Sequence, residues 1–335
     1  MEQKSTACKK GLVSIITPCY NGAHLISRLL CSILDQDYPT VEMFVVDDGS
    51  KDNTKDVVFG FKEKFSKRGY ALHYIHQANG GQASAINNGL KHVTGEYLLW
   101  PDADDYYHSP HAISRMVEAF GMLDNSYGIV RCEGQFVEER IFQVVRPRTY
   151  NIRKEHIFEE YFTGQESIAV AGLTMLRMAA FDKVNPQREI FHGRMPQNFQ
   201  MILPVGYSFK HFTLHENLYS ILQRHDSHSR QEIPYDKCID TFKGYQEIVD
   251  NTLEHIMTIP SSERIKYHRL SRLSFLDGAM VMSFKYAKPR EANRYASEKA
   301  AMGARLTKAC LCRRVLVWCP PALRVFDWLV NKLRK

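Results

Sequence analysis

The sequence predicts an α/β protein with a mostly parallel central sheet, helices on both faces of that sheet, and a helical C-terminal extension. Two observations predict this class. Over the first 120 residues, short apolar runs alternate with segments of helical periodicity, which is the pattern of βαβ units. Polar clusters also follow the apolar runs at 13–17, 41–46 and 97–100, and parallel sheets bind their ligands at such strand ends.

Hydrophobic periodicity and capping residues place the elements. Early strands are expected at 13–17, 41–46, 71–75 and 97–100. Early helices are expected at 23–34, from a cap at Ser50 or Asp52 to about 65, at 83–92 and at 109–121. Later strands are expected at 127–132, 141–145 and 168–176, and later helices at 197–205, 236–258, 262–286 and 289–307. We therefore expect one domain over residues 1–230 and a helical region over residues 231–335.

Composition and charge exclude several classes of protein. No apolar run reaches the roughly 18–20 residues that span a bilayer, and the first residues lack the apolar core of a signal peptide, so we expect a cytoplasmic protein. The eight cysteines include no C-x-x-C pair, which favours reduced thiols. The formal charge of +7 is concentrated in residues 299–335, which hold nine Lys or Arg and one acid. The body therefore lacks the basic excess of a nucleic-acid-binding protein.

The apolar strand at 97–100 is followed by three carboxylates within four residues, Asp102, Asp104 and Asp105. Carboxylates this close repel one another, and a cation stabilises them. Oxygen ligands suit Mg²⁺ or Mn²⁺, and such ions keep open positions for substrate phosphates. The alternative is a solvated acidic turn before the next helix. The motifs elsewhere in the chain decide between the two.

Four motifs, in this order, resemble those of the inverting family 2 glycosyltransferases with the GT-A fold, the fold of nucleotide-diphospho-sugar transferases. They are VSIITPCYN at 13–21, VVDDGSKD at 45–52, NGGQASAINNG at 79–89 and PDADD at 101–105. The resemblance is strong over residues 11–125, looser to about 230, and lapses in the helical C-terminal region. It implies a hexosyltransferase-type enzyme, EC 2.4, with a nucleotide-diphosphate sugar as donor and Mn²⁺ or Mg²⁺ as cofactor.

The resemblance implies a donor site that begins with the first two motifs. Pro18 and Tyr20, with Asn21 beside them, would line the nucleotide base and ribose. Asp48 would accept a hydrogen bond from a uracil-type ring, so the donor is expected to be UDP-linked.

The third and fourth motifs would complete that site. Asn87 and Gly89 would lie near the ribose or diphosphate, although a structural role in a turn or helix is the alternative for Asn87. Asp102 and Asp104 would hold the ribose and the metal-bridged diphosphate. A divalent ion there stabilises the departing diphosphate as a Lewis acid.

Two positions depart from the family pattern. Ile86 stands where relatives often have Arg, so positive charge near the diphosphate is missing or comes from elsewhere. Gln197 and Asn198 stand where a Glu-Asp pair would supply the base, and an amide is not a base at neutral pH. These amides resemble a run found in transferases that build bacterial surface glycans, and they would orient an acceptor. The remaining candidate bases are Glu189, His192 and Asp182.

The run RHDSHSR at 224–230 lies where relatives close the site over the donor. His225 and His228 are candidate metal ligands, and His is more tolerable for Mn²⁺ than for Mg²⁺. Arg224 or Arg230 is a candidate replacement for the missing Arg. The alternative is a polar loop between two domains.

A basic, amphipathic tail occupies about residues 309–335. Apolar residues recur at helical spacing from Leu323 to Leu333, and Trp318 and Trp328 lie among basic side chains. This pattern is typical of helices on an anionic membrane surface, so we expect peripheral attachment to the inner face of the membrane. The alternative is a helix packed on the body of the protein.

Together these features predict a metal-dependent, inverting glycosyltransferase that acts on a glycan or lipid-linked acceptor in cell-surface polysaccharide synthesis. Two alternatives stay open. A nucleotidyltransferase shares the fold but normally has a glycine-rich basic loop after the first strand. A non-catalytic, nucleotide-binding membrane partner subunit would explain Asn198 at the position of the base. A dinucleotide oxidoreductase is disfavoured because no G-x-G-x-x-G follows the first strand.

Overall fold

The structure, a computed structural model, describes residues 8–151, 153–163, 170–191, 197–224, 234–306, 308–319, 321–323 and 326. The chain divides into two compact units. The first comprises Met1–Ser229 with Asn251–Ile259, and the second comprises Arg230–Asp250 with Pro260–Lys335. The first unit contains the sheet and the motifs, and the second is helical.

The first half of the sheet is parallel and follows the predicted order. Its strands are β1 (Lys9–Cys19), β2 (Val41–Asp47), β3 (Ala71–His76) and β4 (Gly95–Leu99). The intervening helices are α1 (Ile26–Leu34), α2 (Thr54–Arg68) and α3 (Gln82–Leu90). Strand β1 pairs with β2 and β4, and β2 pairs with β3, all in parallel. The loops after β1, β2 and β4 therefore meet at one edge of the sheet.

The second half of the sheet is mixed. Within the described residues its strands are β5 (Tyr106–Tyr107), β6 (Tyr127–Glu138), β7 (Val144–Arg148), β8 (Thr174–Arg177) and β9 (Lys210–Gln223). The strand order is β3-β2-β1-β4-β8-β6-β9-β5, with β7 beside β6. Strand β8 is antiparallel to β4 and β6, whereas β6 and β9 are parallel. The four helices of this half, within the same residues, are α4 (Ala112–Met122), α5 (Glu160–Thr163), α6 (Met178–Val184) and α7 (Asn198–Ser208).

Two predicted strands of this half differ in extent. The strand expected at 141–145 begins at Val144, because Phe142 adopts a positive φ of 50° in the hairpin turn. The strand expected at 168–176 is β8, preceded by a short 3₁₀ helix at Ala171–Leu173. Residues 168 and 169 lie outside the described part of the chain.

Helices cover both faces of the sheet. Neighbouring side chains of β1 point to opposite faces, as the strand geometry requires. Ile15 joins an apolar cluster with α1, α2 and α4, whereas Ile16 joins a second cluster with α3, α6 and α7. Strand β2 is buried along its whole length, which is typical of a parallel strand covered on both faces. The predicted α/β class is therefore confirmed.

The helical unit has a core of its own. Its helices are α8 (Tyr235–His255), α9 (Ser261–Lys285), α10 (Pro289–Ala301) and α11 (Lys308–Leu316). The last turn of α8, from Asn251, belongs to the first unit. Leu276 and Ala279 of α9 pack in one cluster with Ala292 and Ala296 of α10 and with Cys310 of α11. None of the helices in the described ranges is long and apolar enough to cross a bilayer.

Candidate functional site

A cavity of about 320 Å³ opens at the sheet edge where β1 and β4 end. Its walls come from the loop after β1, the start of α3, the loop after β4 and the end of β9. The lining residues are Pro18, Cys19, Tyr20, Gly22, Leu25, Gln82, Asp102, Ala103, Asp104 and Arg224. The fold thus brings five predicted site residues to one cavity: Pro18, Tyr20, Asp102, Asp104 and Arg224.

Two carboxylates in this cavity repel each other. Burial, and after it the charge of Asp104, raises the pKa of Asp102 to about 7. Gln82 Nε2 donates a hydrogen bond of 2.8 Å to Asp102 Oδ1. Arg224 Nη1 lies 3.4 Å from Asp104 Oδ2, and Arg224 Nε lies 4.0 Å from Glu139 Oε1. The pair is therefore oriented by an amide and an arginine, and a bound cation would relieve its repulsion.

The donor set fits a hard divalent cation that shares its coordination with substrate. Within the described ranges, no group of three or more His, Cys, Asp or Glu side chains is placed to hold a metal ion. Mg²⁺ and Mn²⁺ commonly take one or two carboxylates and complete their shell with water and substrate phosphates. Asp102 and Asp104 suit that arrangement. The predicted ligands His225 and His228 lie outside the described residues.

The third carboxylate of the acidic loop, Asp105, is directed into the protein. Asp105 Oδ1 accepts a 2.8 Å hydrogen bond from the Leu222 amide, and Asp105 Oδ2 accepts one of 3.3 Å from the Tyr219 hydroxyl. Burial and the neighbouring Asp104 charge raise the pKa of Asp105 well above its usual range. These contacts join the acidic loop to β9 and set the position of Arg224, two residues after Leu222.

Asp48 organises the turn that precedes α3. Its carboxylate accepts 2.8 Å hydrogen bonds from Gln77 Nε2 and from the amides of Gly80 and Gly81. Gly81 has a φ of 86°, a conformation that favours glycine. The next residue, Gln82, reaches Asp102, so Asp48 supports the acidic pair through this turn. Asp48 is buried outside the cavity lining, and its predicted bond to a uracil-type ring stays a prediction.

Asn21 links the loops after β1 and β2. Its backbone N–H donates a 2.8 Å hydrogen bond to Ser50 Oγ, and its side-chain Oδ1 accepts a 2.8 Å hydrogen bond from the backbone N–H of Lys51. Its φ of 48° is one that Asn tolerates better than most residues. Asn21 therefore shapes the loop that carries Tyr20, although it does not line the cavity itself.

Two predicted donor residues on α3, Asn87 and Gly89, do not line the cavity. The side-chain amide of Asn87 is hydrogen-bonded to the backbone of Ile190 through both its oxygen and its nitrogen. A Cβ atom on Gly89 would lie 2.6 Å from Ile16 Cγ2, so the missing side chain lets α3 pack against β1. Both residues therefore have packing or positioning contacts within the protein, and their expected place near the ribose or diphosphate stays a prediction.

Gln197 and Asn198 lie at the start of α7, beside the acidic loop. Trp100 Nε1 donates a 2.9 Å hydrogen bond to Asn198 Oδ1, and Trp100 precedes Asp102 by two residues. Gln197 is buried, and its Oε1 has no hydrogen-bond partner among the described residues. The position where a base was expected is thus joined to the acidic loop through an indole N–H.

Two of the three candidate bases, Asp182 and Glu189, do not line the first cavity. Both carboxylate oxygens of Asp182 accept hydrogen bonds from Arg188, at 2.7 and 2.8 Å. Glu189 lines a second cavity, of about 510 Å³, which shares no lining residue with the first. His192 lies outside the described residues. The geometry therefore does not assign the base.

Sequence reasoning missed two residues of the site, Gln82 and Trp100. Gln82 is the first residue of α3, directly after the Gly80–Gly81 pair that Asp48 holds. Trp100 joins the end of β4 to the acidic loop. Their positions in the sequence could have predicted this, because a residue at the end of a strand or the start of a helix, next to a motif, lies close to the site that the motif forms.

Comparisons with known proteins identify the first unit. The sequence model of the family described as Glycosyl transferase family 2 matches residues 14–184, just over half of the chain. An uncharacterized glycosyltransferase of Rickettsia typhi is 37% identical over 129 residues, which are 38% of either chain. The uncharacterized glycosyltransferase EpsJ of Bacillus subtilis is 40% identical over 98 residues, 29% of this chain and 27% of its own. The chain thus spans well under half the length of these relatives.

Two solved structures share the fold. Staphylococcus aureus TarS in complex with UDP-GlcNAc has a TM-score of 0.54 and 16% identity, over 88% of this chain and 93% of that one. The mannosyltransferase PcManGT from Pyrobaculum calidifontis, in complex with GDP-Man and Mn²⁺, has a TM-score of 0.55 and 17% identity, over 93% and 86%. The predicted GT-A fold is therefore confirmed.

Proposed function

Because the chain belongs to glycosyl transferase family 2, we propose that it is a metal-dependent, inverting glycosyltransferase of class EC 2.4. It moves a sugar from a nucleotide-diphosphate sugar to a glycan or lipid-linked acceptor in cell-surface polysaccharide synthesis. One observation carries the proposal. Pro18 and Tyr20 of the first motif share a cavity with Asp102 and Asp104 of the fourth.

The cavity suits each part of a nucleotide-diphosphate sugar. Tyr20 is 51% exposed beside Pro18, which offers an aromatic surface for a base. Asp102 and Asp104 would hold Mn²⁺ or Mg²⁺, which stabilises charge on the departing diphosphate when it is bound. Arg224 supplies the positive charge that Ile86 does not provide. UDP-linked donors remain the first choice, with GDP-linked donors beside them in the test.

The acceptor would approach the start of α7. Gln197 and Asn198 can orient a sugar hydroxyl, while the base stays among Glu189, His192 and Asp182. The non-catalytic partner subunit makes the opposite prediction about turnover, so one assay separates the two functions.

The test is a panel of nucleotide sugars, each with Mn²⁺ or Mg²⁺, on the full chain. We expect one donor to raise the unfolding temperature in the presence of metal and to release its nucleotide. Asp104→Asn should abolish both effects, whereas Asp56→Asn, on the exposed face of α2, should change neither. Metal-independent binding without nucleotide release, with any acceptor supplied, would favour the partner subunit.

We also propose peripheral attachment to an anionic membrane, through a surface that includes α11. Leu311, Val315 and Trp318 recur at helical spacing and are 48, 72 and 62% exposed. Arg313 and Arg314 lie on the same helix. Exposed apolar side chains among basic ones favour the interface of an anionic leaflet. Most of the predicted tail beyond residue 319 lies outside the described residues.

Vesicle sedimentation tests the attachment. The full chain should bind phosphatidylglycerol vesicles and bind phosphatidylcholine vesicles weakly. Val315→Asp should lower binding to the anionic vesicles roughly tenfold, because it places a charge in the apolar stripe. Val281→Asp, at an exposed position on α9, is the matched control. Equal binding by both variants would contradict a role for α11.

A further inference from the structure

Three amide side chains hold the backbone of three consecutive residues, Glu189, Ile190 and Phe191. Each amide pairs with both the N–H and the C=O of one residue, as a neighbouring strand would. Asn185 pairs with Glu189 at 3.2 and 2.9 Å, Asn87 pairs with Ile190 at 2.8 and 2.8 Å, and Gln200 pairs with Phe191 at 2.5 and 3.1 Å. The six hydrogen bonds satisfy every backbone polar group of this segment.

Two of these amides come from distant elements. Asn87 belongs to α3 and Gln200 to the first turn of α7, and both side chains are buried. The segment also borders the cavity of about 510 Å³, which Gln200 lines as well, and the side chain of Ile190 is buried in the second apolar cluster. The position of this backbone therefore depends on the two buried amides together with the packing of Ile190.

The segment is joined to the proposed acceptor side through Gln200, which lies on α7 with Asn198. The chain continues from Phe191 through residues 192–196 to Gln197 and Asn198. Gln200 lies half a turn beyond Asn198 on the same helix, and Asn198 contacts Trp100, which precedes the acidic loop. Asn87 and Gln200 thus connect the parallel half of the sheet with the start of α7.

We infer that Asn87 and Gln200 are positioning residues for acceptor transfer, an inference that rests on the proposed transferase function. Asn87 holds the backbone of Ile190, Gln200 joins the adjacent Phe191 to α7, and this contact sets the orientation of Gln197 and Asn198, at the start of the same helix, toward an acceptor hydroxyl. This role differs from the one that the family resemblance implied for Asn87, a place near the ribose or diphosphate. The two roles differ in what they predict for donor binding: a residue near the diphosphate should lower donor affinity when it is replaced, whereas a positioning residue for the acceptor should leave donor affinity unchanged.

Asn87→Asp and Gln200→Glu are the informative variants, since each keeps the side-chain shape and the acceptor oxygen but loses the donating N–H. With UDP and Mn²⁺ as the probe, both variants should bind within about twofold of the wild type. Nucleotide release from the donor that the wild type turns over should fall roughly tenfold in kcat, with donor KM unchanged. Asn125→Asp, on an exposed turn, is the matched control and should behave as the wild type.

A pH profile separates positioning from a general loss of structure. In Asn87→Asp, protonation of the introduced carboxyl group restores a donor for the Ile190 carbonyl. The ratio of variant to wild-type release should therefore rise several-fold from about pH 8 to about pH 6. Amide hydrogen exchange at Ile190 and Phe191 should accelerate at least tenfold in Asn87→Ala and Gln200→Ala, which reports the backbone contact without activity.

Three results would overturn the inference in different ways. Donor affinity that falls in step with turnover would make Asn87 a donor-binding residue. Unchanged release despite faster amide exchange would make both amides purely structural. Absence of release by the wild type from every donor would remove the transferase function and this inference with it.

Discussion

The proposed donor side and the proposed acceptor side of the site are built in different ways. On the donor side, side chains at the ends of β1 and β4 reach one cavity directly, and carboxylates dominate its charge. On the acceptor side, amides dominate, and they contact backbone or an indole in place of titratable groups. Under the proposed function, the donor side would hold a metal and a diphosphate, and the acceptor side would orient an acceptor.

From this difference we expect the acceptor side to tolerate changes of side chain better than the donor side. A diphosphate needs positive charge and metal ligands in fixed places, so the donor residues lie next to regular strands. Acceptors differ in shape, and amides both donate and accept hydrogen bonds. An acceptor site made of amides on a hydrogen-bonded loop can therefore be adjusted without changing the donor site.

The largest loss of stability and nucleotide affinity is expected from Asp48→Asn, which disrupts the turn before α3 on the donor side. Asp48→Asn replaces an acceptor of three hydrogen bonds by a side chain that offers N–H groups to other N–H groups. We expect the unfolding free energy to fall by about 2 kcal/mol, and the affinity for UDP and Mn²⁺ to fall roughly 100-fold because the turn before Gln82 moves. Chemical denaturation and calorimetry measure the two changes.

The exposed carboxylate of Asp56 provides the control for this substitution. Asp56→Asn removes the same charge from α2 without touching the turn. Nucleotide affinity that survives Asp48→Asn unchanged would show that the turn at residues 77–81 does not support the acidic pair.

A smaller effect on the donor side is expected from Arg224→Ala. Arg224 lies 3.4 Å from Asp104, and it is the cation of the described cavity lining. Its removal should weaken the binding of a nucleoside diphosphate roughly tenfold and leave binding of the nucleoside almost unchanged. Calorimetry with UDP and with uridine distinguishes the two. Arg140→Ala, in the exposed β6–β7 hairpin, is the control, and equal losses for UDP and uridine would contradict a role at the diphosphate.

The acceptor side can be tested alone through Trp100→Phe. The change keeps an aromatic ring but removes the indole N–H, so a buried amide oxygen of Asn198 loses this donor. We expect the unfolding free energy to fall by about 1 kcal/mol and nucleotide release to slow several-fold, with donor affinity retained. A parallel loss of donor affinity would mean that the two sides are not separable at Trp100.

The smallest expected effects are the pH dependences of Mn²⁺ affinity and of the unfolding free energy. Because the pKa of Asp102 is raised to about 7, protons compete with Mn²⁺ below that pH, and the affinity for Mn²⁺ should fall as pH drops toward about 6. Without metal, Asp102 is protonated in the folded state but ionised in the unfolded state at pH values between the usual carboxyl pKa of 3.8 and about 7. The unfolding free energy should therefore fall as pH rises through this window. In the absence of metal, Asp104→Asn should narrow this window from its upper end, because it removes the smaller cause of the raised Asp102 pKa and leaves burial, the larger one. Thermal unfolding across the pH range measures the change.

The donor side was largely predictable from the sequence. Parallel strands place their C-terminal ends together, so the positions of Pro18, Tyr20, Asp102 and Asp104 after apolar runs assign them to one edge of the sheet. Asp48 follows such a run too, but its part in the turn before α3 was not foreseen. That part depends on the amides of Gly80 and Gly81, which composition does not reveal.

The acceptor side was not predictable to the same degree. Asn87 pairs with a residue 103 positions away, and Trp100 pairs with one 98 positions away, so local pattern carried no sign of either contact. Strand β9 was also missed, because polar residues at 215–217 interrupt its apolar pattern where its register shifts against β6. That strand delivers Arg224 to the cavity.

Anomalous scattering from Mn²⁺ in crystals of the full chain with the bound nucleotide donor tests the central claim most directly. We predict one manganese peak bonded to Asp102 or Asp104 and to both phosphates, with the base beside Tyr20. The peak should vanish in Asp104→Asn. A nucleotide bound at this cavity without manganese at either carboxylate, or a manganese ion held away from the diphosphate, would contradict the claim.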